Sequence, residues 1–253
     1  MKTAGALKQN TPAVFLGLML LILWQAAAVI INRGHILPGP WQILVRTWEL
    51  RETLFLHHMP STLLTILLGW LISVSIGIGL AVLMHENRYV EAALHQVLII
   101  TQTIPVMCIS PLFVLWLGYT MGARLIAVVL STFFAITLST YDGLRSTDPA
   151  KKELMQTLGA GRLQIFRELE VPHALPGLFT ALKMTMPWAV IDAAVAEWLG
   201  ATQGLGYFSK RMISKMDGAA VFAPLLILSI LALLGLWLIR AAERRIVFYR
   251  NEL

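Results

Sequence analysis

Apolar residues gather into six long runs, near 12–31, 61–84, 92–117, 124–141, 175–199 and 221–240, with polar stretches between them. Each approaches the roughly 20 residues a helix needs to cross a hydrocarbon core. The strict in-out alternation of a membrane β-barrel is missing. The pattern predicts an all-α integral membrane protein with about six transmembrane helices and both ends on one side. Residues 1–253 read as one transmembrane domain, in which the fourth run is the shortest.

Composition agrees with this reading. Of 253 residues, 57% are hydrophobic and 13% charged, and the mean hydropathy is +0.72, too apolar for an ordinary soluble surface. The net charge of +6 would suit nucleic acid if it were clustered. The basic residues instead flank apolar runs, so membrane topology accounts for them and no nucleic-acid partner is expected. With cytoplasmic termini, the inside holds Lys2, Lys8, Arg88, Arg145, Lys151, Lys152, Arg162, Arg167, Arg240, Arg244, Arg245 and Arg250. The outside holds Arg33, Arg46, Arg51, Arg124, Lys210, Arg211 and Lys215, and Lys183 falls inside the fifth run. The excess of inside charge predicts cytoplasmic termini. The first run follows Lys2 and Lys8 and is long for a signal-peptide core, so Ala26-Ala27-Ala28 is read as part of a retained helix. A single cysteine, Cys108, excludes a disulfide within the chain and reads as a packing residue.

Several local features refine the picture. After Leu37-Pro38-Gly39-Pro40, residues 41–58 carry Ile43, Leu44, Trp48, Leu50, Leu54 and Leu56 in an imperfect helical rhythm. That predicts an amphipathic helix along the outer surface, either docking an external partner or resting on the bilayer. In the second run Gly69, Ser73, Gly77 and Ala81 recur every four residues, leaving one face almost without bulk for another helix of this chain or of a second copy. Pro105 and Pro111 interrupt the third run and Pro187 the fifth, and each frees backbone carbonyls that protein or water must satisfy.

The long fourth connection, about 142–174, has helical punctuation of its own. Asp148 before Pro149 is an N-cap with proline at the first helical position. Leu154, Met155 and Leu158 share a face and Gly159 supplies a stop. After Gly161 a second short helix presents Leu163, Phe166 and Leu169 before Val171-Pro172 ends it. Two short amphipathic helices joined at a glycine predict a rigid knob with an apolar tip, suited to a groove on a partner.

This segment resembles the EAA loop of permease subunits in binding-protein-dependent ABC importers, whose pattern is Glu-Ala-Ala, three residues, Gly, nine residues, Ile, one residue, Leu-Pro. Glu153, Gly159, Leu169, Val171 and Pro172 occupy matching positions, while Leu154 and Met155 replace the two alanines. The resemblance extends from Leu37-Pro38-Gly39-Pro40 through Asp142-Gly143-Leu144-Arg145 to Glu197 with Gly204-Leu205-Gly206. It is greatest to the sulfonate, taurine and nitrate branch and its relatives for thiamine pyrimidine precursors, and Glu197-Trp198-Leu199-Gly200 and Gly204-Leu205-Gly206-Tyr207 look most like the latter.

The resemblance implies the type I ABC importer permease fold in a bacterial inner membrane. It implies a path formed by this subunit paired as a homodimer, an external solute-binding protein, and a separate cytoplasmic ATPase dimer that binds ATP and Mg. It also implies ATPase coupling through Glu153, Leu154, Met155, Leu158, Gly159, Leu163, Phe166, Leu169 and Pro172. No Gly-x-x-x-x-Gly-Lys-Ser/Thr phosphate loop is present, so the chain is not expected to be an enzyme or to hold a cofactor or metal.

Charges inside the runs are candidate path residues. Asp192 and Glu197 lie five residues apart, about 140° around a helix, and do not form one acid pair. Trp188 and Asp192, one turn apart, would offer a stacking surface and an acceptor suited to an aminopyrimidine, or Asp192 would bond a neighbouring helix. Glu197 is expected near the outer mouth, either solvated or contacting solute. Gln102 and Thr103 before Pro105 suit a path or interhelical hydrogen bonding, while His95 and Lys183 are expected to reach the cytoplasmic interface. The rival readings are a proton-coupled secondary transporter using Asp192 and Glu197, and an intramembrane enzyme. Neither explains the 142–174 segment, and neither paired broken helices nor clustered ligands are found.

Overall fold

A computed structural model describes residues 2–248; Arg250, counted above among the inside charges, lies outside the described residues. Five helices are long and apolar enough to span a membrane: α1 (Lys2–Ile31), α3 (Met59–Glu86), α6 (Met121–Arg145), α9 (Val171–Gly200) and α11 (Gly218–Ile246). The third apolar run is not one straight helix. It divides into α4 (Arg88–Thr103) and α5 (Val106–Leu117), bent by 95° at Ile104–Pro105. Of the three prolines, Pro105 stands at a break between helices, while Pro111 lies inside α5 and Pro187 inside α9. Short helices complete the chain: α2 (Pro40–Glu49), α7 (Pro149–Thr157), α8 (Arg162–Ile165) and α10 (Leu205–Ile213).

The centre of the bundle is α6, packed against α3 and α9. The small-residue stripe explains how α3 comes so close. Gly69, Ser73, Gly77 and Ala81 are all buried, and a Cβ at Gly69 would lie 2.8 Å from Val128 Cβ. A Cβ at Gly77 would lie 2.8 Å from Ile136 Cγ2. Between these two glycines Thr132 Oγ1 donates to Ser73 Oγ at 2.7 Å, so the neighbour of the stripe is α6 of the same chain. Toward the Arg145 end of α6, a Cβ at Gly143 would meet Ala174 Cα of α9 and one at Gly177 of α9 would meet Ser139 O, at 2.8 and 2.9 Å. The fourth run, shortest on hydropathy, is thus part of a helix 25 residues long. Its inner end reads as polar because Asp142-Gly143-Leu144-Arg145 continue the helix.

Residues 41–58 are not a single amphipathic helix. Gly39 and Pro40 start α2, which ends at Glu49, and a π-helical turn over Thr53–His58 leads into α3. Ile43 and Leu54 face inward while Trp41, Leu44, Trp48 and Leu56 are exposed. Arg46 fixes α2 by donating to Asp217 Oδ2 at 2.7 Å, and Asp217 in turn caps α11 through the Ala220 amide. A second π-helical turn, Phe166–Glu170, joins α8 to α9. Both wide turns end two residues before a proline, Pro60 and Pro172. A proline ring collides with the carbonyl four residues back, and widening the preceding turn relieves that collision. Val171-Pro172 therefore does not end the second loop helix, which runs on into the fifth span.

The α3–α6 contact carries a direct prediction. Gly77→Val forces side-chain atoms into Ile136, and overpacking of this kind costs about 1–3 kcal/mol. The detergent-solubilised protein is expected to melt several degrees lower, whereas Gly79→Val, at a glycine with open space around it, leaves the transition unchanged.

Candidate functional site

At one end of the bundle α7 and α8 form the knob. Asp148 Oδ1 accepts from the Ala150 amide at 2.9 Å and Pro149 opens the helix. At its far end Gly159 adopts φ +87, the Gly159 amide bonds Gln156 O and the Ala160 amide bonds Met155 O, both at 2.9 Å. This paired arrangement closes a helix around a left-handed residue. Gly161 then begins α8.

The geometry divides the nine loop residues in two. Leu154 and Leu163 are 61% exposed and Leu158 78%, and with the exposed Glu153 and Gly159 they make a bare apolar tip. Met155, Phe166, Leu169 and Pro172 are half-buried at its base, where Phe166 lies 6.2 Å from the His85 ring. Two base residues escaped the sequence reading. Ile165 is buried, and Glu170, 8% exposed, receives His85 Nε2 at 2.9 Å and Lys152 Nζ at 2.5 Å. A glutamate one residue from the apolar pair Leu169 and Val171 might have drawn notice, but its partners lie far away in sequence.

The path candidates do not form one cluster. Gln102 and Thr103 are exposed at the α4–α5 bend; Thr103 Oγ1 donates to Ile100 O within its own helix at 2.7 Å, and no interhelical bond of either is found among the described residues. Trp188 and Asp192 share a partly exposed face of α9. The Trp188 ring stacks on Phe134 of α6 with centroids 6.5 Å apart, and Asp192 lies beside the Ser131 side chain of α6. Lys183 donates from Nζ to both carboxylate oxygens of Glu243, near the end of α11, at 2.8 Å.

Glu197 is neither solvated nor on an open path, because it is fully buried. Its Oε2 accepts the Gly206 amide at 2.8 Å, and Arg124 of α6 approaches Oε1 at 3.8 Å while donating to Ser61 Oγ at 3.0 Å. The same turn is held by His58 Nδ1, which accepts the Gly204 amide at 3.1 Å, and by Thr62 Oγ1, which accepts the Leu205 amide at 2.8 Å. A Cβ at Gly204, where φ is +129, would lie 2.3 Å from Glu197 Cδ, and one at Gly206 would lie 2.2 Å from Ala194 O. Glu197 with Gly204-Leu205-Gly206 is thus a clasp that folds α10 against α9. The physical reason is that three unpaired amides at the start of α10 need acceptors in an apolar setting.

These features allow a prediction that separates the two acidic residues. Glu197→Ala leaves the Arg124 guanidinium, 8% exposed, without a carboxylate, and removing one partner of a buried pair costs about 3–5 kcal/mol. Its melting transition is expected well below that of Asp192→Asn, which keeps a polar group beside Ser131. Equal transitions would contradict the clasp.

Residues 73–248 match the family described as binding-protein-dependent transport system inner membrane component. The formylaminopyrimidine transport permease protein ThiX of Halalkalibacterium halodurans is 46% identical over 241 residues, 95% of this chain and 96% of that protein. A putative aliphatic sulfonates transport permease protein, SsuC of Bacillus subtilis, is 26% identical, covering 92% of this chain and 86% of its own length. Among solved structures, a bacterial alginate ABC transporter in complex with an alginate pentasaccharide-bound periplasmic protein superposes with a TM-score of 0.64, covering 95% of this chain and 97% of that one at 16% identity. Membership of this family displaces the secondary transporter and the intramembrane enzyme as readings. The chain belongs to the binding-protein-dependent inner membrane components: it is a multi-pass, all-helical ABC importer permease of the type I fold, and not an enzyme.

Proposed function

We propose that this permease imports a small aminopyrimidine-like solute, driven by a separate ATPase that seats the α7–α8 tip. The observation that carries the solute class is the 46% identity to a formylaminopyrimidine permease over nearly the whole of both chains. The local chemistry supports it. Trp188 and Phe134 supply flat π surfaces, and Asp192, one turn from Trp188, supplies an acceptor for an exocyclic amine. An isolated carboxylate on this face disfavours a sulfonate or nitrate anion by charge repulsion.

The coupling reading rests on the tip. Three leucines that are 61–78% exposed at the end of a membrane protein that also bears Lys151, Arg162 and Arg167 are costly in water, and a groove on a cytoplasmic partner would cover them. The same end carries Arg88, Arg145, Arg240, Arg244 and Arg245, which supports cytoplasmic termini. ATP and Mg bind the partner ATPase in this scheme. An external binding protein delivers solute to the opposite end, and a second copy of this chain completes the path around a twofold axis. Gln102 and Thr103, at the bend of α4 and α5, belong to that path, whereas Glu197 supports its outer end from inside the fold.

Two tests address the two halves of the proposal. Co-purification of tagged chain with its ATPase is expected to fail for Leu158→Asp and for Gly159→Pro. The first alters only an exposed tip residue; the second removes an amide bonded to Gln156 and forbids φ +87. Retention of the ATPase by Leu158→Asp would remove the tip from the coupling surface. For the solute, a charge-assisted hydrogen bond contributes about 1.5–3 kcal/mol, so Asp192→Asn is expected to lower uptake of labelled formylaminopyrimidine at limiting concentration about tenfold or more. Unchanged uptake would exclude Asp192 from recognition, and uptake of an alkanesulfonate in its place would overturn the solute class.

A further inference from the structure

The geometry points to Glu170 as a positioning residue: through Lys152 and His85 its carboxylate latches the coupling helix α7 to the spans α3 and α9, so that a push on the tip moves both spans together. The inference rests on the coupling role proposed for α7 and α8 and adds the element that would transmit it.

The case begins with how little else holds α7. It contains no buried residue, and it is flanked by the turns at Ser146–Asp148 and Leu158–Gly161. Among the described residues, the ion pair joining α7 to another element is Lys152 Nζ with Glu170 Oε1, at 2.5 Å. The other carboxylate oxygen meets His85 Nε2, in the last turn of α3, at 2.9 Å. One carboxylate thus bonds two elements at once, from within the π-helical turn that opens α9.

Burial decides which of the two ties at this end matters. Arg162 also pairs with Glu86 at the end of α3, but their side chains are 78% and 41% exposed, and water and salt screen such a pair. The Glu170 and His85 side chains are 10% and 15% exposed and that of Lys152 27%. Charge-assisted bonds in such surroundings are stronger and more directional. Phe166 against His85 closes the apolar side of the same joint.

Position supplies the rest. The helix α8 and the wide turn continue without a break into α9, which carries Trp188 and Asp192. Displacement of α7 therefore reaches α9 through its first residues and α3 through His85. Without the carboxylate, α7 could swing on its glycine and Ser146–Asp148 turns while the spans stay still.

The test uses the full chain in nanodiscs with its ATPase, in a Cys108→Ser background, with spin labels at Thr157→Cys on α7 and Ser75→Cys on α3, both exposed positions. With the doubly labelled chain diluted in an excess of unlabelled Cys108→Ser chain, so that each dimer carries one labelled copy, the distance distribution of the otherwise natural chain is expected to be a single narrow peak with and without ATP and vanadate. Glu170→Gln is expected to keep the ATPase bound, lose the narrow peak, and let α7 separate from α3 under ATP and vanadate. The exchanged pair Lys152→Glu with Glu170→Lys is expected to restore one peak, which a variant that had merely damaged the fold would not do. An unchanged narrow peak in Glu170→Gln, or an exchanged pair as broad as Glu170→Gln, would overturn the latch. If no ATPase binds the natural chain, the coupling reading fails instead, and the nucleotide-free distances still decide whether Glu170 holds α7.

Discussion

Close approach of α3 and α9 to α6 underlies the rest of this molecule. In lipid there is little hydrophobic gain in bringing one apolar helix against another, so association depends on contact area and on hydrogen bonds. Gly69 and Gly77 let Val128 and Ile136 of α6 fill the places where side chains would stand, and Ser73 meets Thr132 between them. Gly143 and Gly177 repeat the device between α6 and α9. Because α3 and α9 are both clamped to α6, their two ends have defined positions, and the α7–α8 knob and the Glu197 clasp are built on those ends.

The two ends use different physics. At the outer end the need is to satisfy backbone amides where α9 turns back into α10, and Glu197, His58 and Thr62 each take one. At the coupling end α7 buries no residue and its leucines face outward, so a few charged contacts hold what packing does not. The exposed tip of Leu154, Leu158 and Leu163 is therefore free of the bundle, while the Glu170 joint ties its base to it. Between the ends, Trp188 and Asp192 lie on the α9 face that still has surface to offer a solute.

Much of this was legible from residue order, because the signals are local. Hydropathy located the spans, Asp148-Pro149 and Gly159 bounded α7, and the spacing from Glu153 to Pro172 carried the resemblance to the family that the chain belongs to. The stripe from Gly69 to Ala81 announced a close helix contact, although its partner could not be named, since a bare face fits any helix of either copy. The same local reading failed at prolines. Pro105, Pro111 and Pro187 look alike in sequence, yet Pro105 alone breaks a helix; Val171-Pro172 reads as a stop, yet a wide turn absorbs it.

What the sequence by itself determined is therefore the kind of protein: a helical membrane permease with short helices between its fourth and fifth runs, set by periodicity, length and short motifs that act within a few residues. Tertiary structure decided which charge does what. Lys183 has no acidic partner nearby in sequence, and Glu243, 60 residues on, supplies it. Glu197 reads as a residue of the mouth until Arg124 and the Gly206 amide enclose it. Glu170 passes unnoticed until His85, 85 residues earlier, arrives beside it. A charge in a membrane protein takes its role from the partner that satisfies it, and folding, not adjacency along the chain, chooses that partner.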